Sequence, residues 1–194
     1  GVLLTVSLDG TLRQIEWPFG LGMNRCGVKT FRNAHLLAPR AITALAHDFY
    51  FVSGGDDGAV MMWDRHLART STFEHGDDPV CSLANGGHDN TFASGHAACM
   101  KLWDPRARGR PTGIVDSGPR GAAALAASGE LLFSAGADTY VRVWDLRTQR
   151  VLARLGGHLS QVGAVAAADG AVFSGDSAGK VRMHTTSDLS AHFP

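Results

Sequence analysis

The chain has no long apolar run. Its apolar start, residues 2–8, is too short to span a bilayer or to serve as a signal-peptide core, and no basic residue precedes it. No membrane partner is expected from it. Cysteine is scarce, and Cys26, Cys81 and Cys99 form an odd set at irregular spacing. That excludes a disulfide framework and points to a reducing, intracellular compartment, cytoplasm or nucleus. Excess charge is also missing, because 18 Lys and Arg balance 18 Asp and Glu. No global field therefore draws the chain to nucleic acid or to an acidic membrane. Lysine is rare, 3 against 15 arginines, a skew that genome composition explains as readily as function. There is no initiator methionine. The chain opens on Gly1 and passes straight into strand-like residues, which reads as a piece of something longer or as a processed product. Apolar side chains are not lacking. At 44% of 194 residues they supply one sizeable core or two small ones and exclude a disordered tail.

The dipeptide Trp-Asp occurs three times, at Trp63 and Asp64, Trp103 and Asp104, and Trp144 and Asp145, at intervals of 40 and 41 residues. A repeat near forty residues ending in Trp-Asp is the signature of a β-propeller of four-stranded blades. Similar segments precede the three tryptophans at 51–62, 91–102 and 132–143. Two weaker copies place Ile15 and His184 where the Trp stands. Each copy reads as a short apolar strand, a Gly- and Asp-rich turn and an alternating strand, which is a hairpin. An alanine-rich strand precedes each hairpin at 42–46, 80–84, 122–127 and 162–167. Small side chains suit a crowded axis. A fourth, outer strand is expected near 68–73, 113–115, 151–155 and 190–193. The segment 17–40 holds Pro18, Gly20, Gly22, Gly27 and Pro39, so much of it is expected to be loop, the best candidate for an insertion on a blade edge. The divisions are a partial blade over 1–38 and blades over about 39–76, 77–116, 117–157 and 158–194.

With these features the chain resembles WD-repeat proteins over nearly its whole length. The resemblance implies an all-β propeller. About four complete four-stranded blades and a partial N-terminal one fit the length, as part of a longer, seven-bladed ring. A second polypeptide completing the ring and closure as five blades are the alternatives. The resemblance also implies a buried link in each blade between a His before the inner strand, a Ser or Thr on the second strand, an Asp in the following turn and the Trp. Only the Trp63 blade offers all four, as His35, Ser53, Asp57 and Trp63. The Trp144 blade has Ser134 and Asp138 without an evident His. The Trp103 blade shows Ala93 and Ala97 at the Ser and Asp positions. The last blade has His158 and Ser174, with Ala178 and His184 at the Asp and Trp positions.

Catalytic patterns compete poorly with structural ones. Gly175, Ser177 and Gly179 match the nucleophile-elbow spacing, but an elbow needs a following helix, and here the pattern predicts a strand. His88, His96 and Cys99 are zinc-type side chains at a spacing that fits no compact site. The turn 53–58 is glycine-rich, yet Asp56 and Asp57 would repel a phosphate. No metal or cofactor is expected, and the chain is read as non-catalytic. Arg106, Arg108 and Arg110 form a basic run after Trp103 that suits a solvated loop, an acidic partner or RNA.

Two consecutive repeats read Trp-Asp-x-Arg, ending at Arg106 and Arg147; the Trp63 repeat has His66 there. The stretch 132–147 is similar to the box in WD-repeat substrate receptors of cullin-type ubiquitin ligases, where the resemblance points the Arg at the ligase adaptor. Arginine suits such a surface, since its planar fork makes two bonds to one carboxylate. The same Arg also suits an ion pair with an Asp of its own blade. The function expected is a non-catalytic protein-interaction scaffold within a larger assembly. A cullin-type ligase receptor, an RNA-associated scaffold and a WD-repeat hydrolase are the alternatives.

Overall fold

The computed structural model describes residues 2–16, 27–45, 50–73, 77–86, 91–107, 109–118, 121–168 and 170–185. These form five antiparallel sheets, each built from strands consecutive in the chain. Sheet I holds β1 (Val2–Val6), β2 (Leu12–Glu16) and β3 (Gly27–Phe31). Sheet II holds β4 (Pro39–Ala44), β5 (Phe51–Gly55), β6 (Val60–Trp63) and β7 (Arg69–Phe73). Sheet III holds β8 (Ser82–Asn85), β9 (Phe92–Gly95), β10 (Cys99–Trp103) and β11 (Pro111–Asp116). Sheet IV holds β12 (Ala124–Ser128), β13 (Leu131–Ala135), β14 (Val141–Asp145) and β15 (Arg150–Leu155). Sheet V holds β16 (Val162–Ala168), β17 (Ala171–Asp176) and β18 (Val181–Thr185). The outer strand expected near 190–193 lies outside the described residues.

Period-two alternation sorts each sheet into two faces. On β14, Val141 and Val143 point one way, and Arg142 and Trp144 the other. The Trp-bearing face of each sheet packs on the opposite face of the sheet before it. Trp63 and Phe51 thus meet Leu4, Val6 and Leu12 of sheet I. Trp103 and Phe92 meet Val52, Val60 and Phe73. Trp144 and Leu132 meet Ala93, Met100 and Leu102. In sheet V, Val172 and Val162 take the same part against Phe133, Val141 and Val143. Trp63 and Trp103 are fully buried, and Phe73 meets Phe92 and Trp103 edge-on, at ring centroids of 5.4 and 5.6 Å. Each such aromatic contributes about 2–3 kcal/mol through burial alone. The strands β4, β8, β12 and β16 contact one another in turn, forming the inner ring of a propeller.

One irregularity recurs. The register between third and fourth strands slips at Met62 and Trp63, at Leu102 and Trp103, and at Val143 and Trp144. A bulge beside each Trp bends the outer strand and increases its twist. The segment 17–40 also contains a strand, since β3 pairs with β2 along its whole length. Sheet V exposes the face that sheet IV buries. Phe173, Val181 and Met183 of sheet V are 40%, 72% and 60% exposed, while their counterparts Phe133, Val141 and Val143 in sheet IV are buried.

Candidate functional site

The register places one serine per blade opposite the residue two before the Trp position. Ser53 faces Met61, Ser94 faces Lys101, Ser134 faces Arg142 and Ser174 faces Arg182. In three sheets the Trp indole N–H donates to that serine, from Trp63 to Ser53, Trp103 to Ser94 and Trp144 to Ser134, each at 2.8 Å. An indole only donates, so the serine accepts and its own O–H remains to give. In sheet II it goes to His35 Nε2 at 2.8 Å. The His35 proton then lies on Nδ1 and is donated to Asp57, whose oxygens stand 2.9 and 3.1 Å away. Asp57 also accepts the backbone N–H of Leu36 and Ala59. A directed chain of bonds thus runs from the third strand through the second to the loop before the first.

Sheet III departs from the expected residues. Ala93 is not the serine position; Ser94 is, because the turn before β10 is one residue shorter. Position 97 is Ala97, so no Asp stands there, and the upstream His75 lies outside the described residues. His96, two residues beyond Ser94, turns its own ring inward, with Nε2 2.8 Å from Ser94 Oγ and Nδ1 3.1 Å from the Asp78 carbonyl. Sheet V also differs. The carboxylate is Asp176 rather than a residue at position 178, and it lies 2.8 Å from His158 Nδ1, while Nε2 lies 2.7 Å from Ser174. The cause is visible in sheet II. A Cβ on Gly55, also two beyond its serine, would stand 2.9 Å from His35 Nδ1. A side chain at that position reaches the histidine site, as Asp176 does, or fills it, as His96 does. Counting two residues on from each serine was the signal available in the sequence. In sheet IV, Asp138 pairs instead with Arg142, Nη2 to Oδ2 2.6 Å.

His96 is fully buried, and burial pushes its imidazole below the usual histidine range. The unfolded chain therefore takes up the proton first as pH falls. Stability is present above about pH 6.5 and is lost as pH drops toward the folded value. Thermal melting is expected to fall between pH 7 and 5, with a shallower slope in His96→Gln. Equal slopes for the two proteins would contradict this.

At the far end of each third strand the Asp of Trp-Asp shapes the turn. Asp64 accepts the N–H of His66 at 2.8 Å and of Ala68 at 2.9 Å. Asp104 accepts that of Arg106 at 2.9 Å. Asp145 accepts those of Arg147 at 2.7 Å and Thr148 at 3.0 Å. These bonds hold all three carboxyls below the usual aspartate range, led by the Ala68 amide for Asp64, the Arg106 side chain for Asp104 and the Thr148 amide for Asp145. The arginine backbone is thereby pinned in both Trp-Asp-x-Arg turns. The side chains differ. The Arg106 guanidinium folds back onto Asp104 with Nε and Nη2 2.8–3.1 Å from the carboxylate. Arg147 is exposed, and no ion pair within the described residues engages its guanidinium. Arg110 is exposed as well, and Arg108 lies outside the described residues.

The other candidates fall into structural positions. Ser177 sits in the turn between β17 and β18, so a strand follows it and not a helix. Asp56 pairs with Arg40 and Asp57 with His35. His88 lies outside the described residues, and among those described no group of three His, Cys, Asp or Glu is placed to hold a metal. Within them no helix is long and apolar enough to cross a membrane.

Comparison with known proteins agrees with this geometry. The family model described as WD domain, G-beta repeat, matches residues 28–64 and 120–145. The first stretch contains the complete His35 to Trp63 relay. The sheet with the internally supplied His96 lies between the two matches. The F-box/WD repeat-containing protein 4 of Mus musculus and that of Homo sapiens are each 33% identical over 108 residues, which is 50% of this chain and 26% of those proteins. The match thus spans about a quarter of the relatives' length. Among solved structures, the crystal structure of the computationally designed Ika4 protein superposes with a TM-score of 0.68 at 27% identity, covering 78% of this chain and 93% of that one. The chain carries WD repeats at 28–64 and 120–145 and folds as successive blades of a β-propeller.

Proposed function

We propose that the chain is a non-catalytic protein-interaction scaffold whose contact surface is formed by the turns after the third strands of sheets III and IV. The observation that carries this reading is Arg147. Its backbone is fixed by Asp145 and its strand by the buried Trp144 to Ser134 bond, yet its guanidinium is left to solvent. A charged group held in place with no ion-pair partner among the described residues loses little freedom on meeting a carboxylate, and Arg makes that contact with two bonds. Arg106 is the weaker neighbour, because binding a partner means exchanging its bond to Asp104. That exchange costs little, since exposed pairs are worth about 0–1 kcal/mol. Arg110 extends the same basic edge. Changing Arg147 to Glu is expected to weaken the partner by tenfold or more in a titration, with melting unchanged. An unaltered affinity would remove Arg147 from the surface.

A second reading is favoured by the similarity to F-box/WD repeat-containing protein 4. In it the chain serves as substrate receptor of a cullin-type ubiquitin ligase, with Arg106 and Arg147 facing the adaptor. Co-precipitation of the adaptor should then be lost in the Arg106→Ala, Arg147→Ala double variant. Undiminished co-precipitation would leave only the general scaffold. The RNA-associated reading has less support, since Arg106 already holds a carboxylate.

A further inference from the structure

We infer that sheet IV carries a second binding site, a cleft that accepts an acidic side chain of a partner protein between Arg142 and Arg154. The two arginines stand directly opposite each other on β14 and β15. Like charges facing across a strand pair destabilise it unless something lies between them. The same position is Met61 opposite Thr72 in sheet II and Lys101 opposite Ile114 in sheet III, so among the described four-stranded sheets the pair is particular to sheet IV. Only half of it is compensated. Arg142, with its side chain 8% exposed, holds Asp138 at 2.6 Å. Arg154 is exposed and has no ion pair within the described residues.

Between them opens a cleft of about 480 Å³, in the wedge where sheet IV meets the end of β11. A pocket of this size is of the order that holds a small side chain and its flanking backbone. Trp144, Val151 and Tyr140 add apolar and aromatic surface to its lining. The opening has a cause in the sequence. In sheets II and V a histidine takes the turn carboxylate, His35 at Asp57 and His158 at Asp176. In the loop before sheet IV the residue after Gly118 is Pro119, where His158 follows Gly157. Both glycines carry an arginine against them, so that a Cβ would stand 2.6 Å from Arg142 Nη2 or 2.5 Å from Arg182 Cζ. Without an imidazole, Asp138 is left to Arg142, and the guanidinium lines the cleft.

The charge balance selects the guest. Asp116 and Asp138 also line the cleft, so among the described residues two cations face two carboxylates. A monovalent carboxylate that bridges Arg154 and the free edge of Arg142 meets less repulsion there than a phosphate near two negative charges. Glutamate or aspartate in an extended segment fits. The site lies toward the opposite end of β14 from Arg147, about 10–15 Å along the strand. Its failure would leave the turn surface of Arg147 untouched, and the converse also holds.

The test uses the blocked tripeptide Ac-Gly-Glu-Gly-NH2, titrated into the chain while the side-chain Nε–H resonances of Arg142 and Arg154 are followed by NMR. Saturable shifts at both, with millimolar affinity, are expected. Arg154→Gln should weaken binding at least tenfold without changing the melting temperature, and Arg154→Lys should retain part of it. The glutamine tripeptide should not compete. Equal binding of the glutamine peptide, an affinity unchanged by Arg154→Gln, or no saturable shift would overturn the proposal. A phosphoserine tripeptide that binds tenfold more tightly would overturn the choice of guest.

Discussion

Replacing Ser53 with alanine is expected to cost about 2–4 kcal/mol of stability, read as a shift in the urea midpoint. The hydroxyl of Ser53 is fully buried and serves two neighbours, the Trp63 indole and His35 Nε2, each at 2.8 Å. Alanine removes little volume, so the penalty is electrostatic. Two buried polar groups lose their partner, and each stranded group costs about 1–3 kcal/mol. Neither ring can follow the missing atom. Trp63 is wedged against Phe31 at a ring separation of 4.9 Å and against Phe51. The His35 ring is tied at its other nitrogen to Asp57. Ser134→Ala provides the internal comparison. It strands the Trp144 indole, with no histidine behind the serine, and should cost about half as much. Equal losses at the two sites would show that the histidine contributes nothing to the link.

Gly95→Ala is expected to destabilise by about 3 kcal/mol, the upper part of the range for overpacking a closed core. A methyl group there would collide with the Ala122 carbonyl and with Ser82 Oγ, and these two groups bond each other at 2.9 Å. A backbone carbonyl at the seam of sheets III and IV has nowhere to move, because the neighbouring Ala122 N–H is fixed to His96 O. The matching glycine in sheet V makes the control. A Cβ on Gly175 would meet only the Ala164 methyl, at 3.8 Å. Gly175→Ala is therefore expected to change stability by less than about 0.5 kcal/mol. A mild effect at Gly95, or an equal one at both glycines, would mean that the sheets do not pack as closely as described.

The parts of this fold that were legible in the sequence are those set by local chemistry. The phase of the three Trp-Asp pairs, the Gly- and Asp-rich hairpin turns and the small residues of the inner strands are properties of a few adjacent residues. They were enough to place the hairpins. The buried relay was only half legible, because it depends on register. A turn one residue shorter moved the serine position from Ala93 to Ser94. It also put His96 where another chain segment supplies the ring in sheets II and V. Asp176 was passed over because its carboxylate reaches the histidine from two residues beyond Ser174, whereas Asp57 reaches it from four beyond Ser53. The strand β3 was hidden by the glycines and proline before it. All five of its residues are exposed, so no buried periodicity marked it. The Arg142 to Asp138 pair could not be read from a pattern that offered Asp138 no histidine and named no other partner for it. At the surface, the sequence singled out Arg106 and Arg147 alike, and only side-chain placement separates one folded onto its own carboxylate from one left open.

We propose that the turns after the third strands of sheets III and IV form the surface that meets a protein partner. Hydrogen exchange on the full-length protein, free and with its main co-purified partner, tests it most directly. Slowed exchange is predicted across 104–110 and 145–149, with the effect abolished in Arg147→Glu. Unchanged exchange in both turns, with protection confined to other parts of the blades, would contradict it.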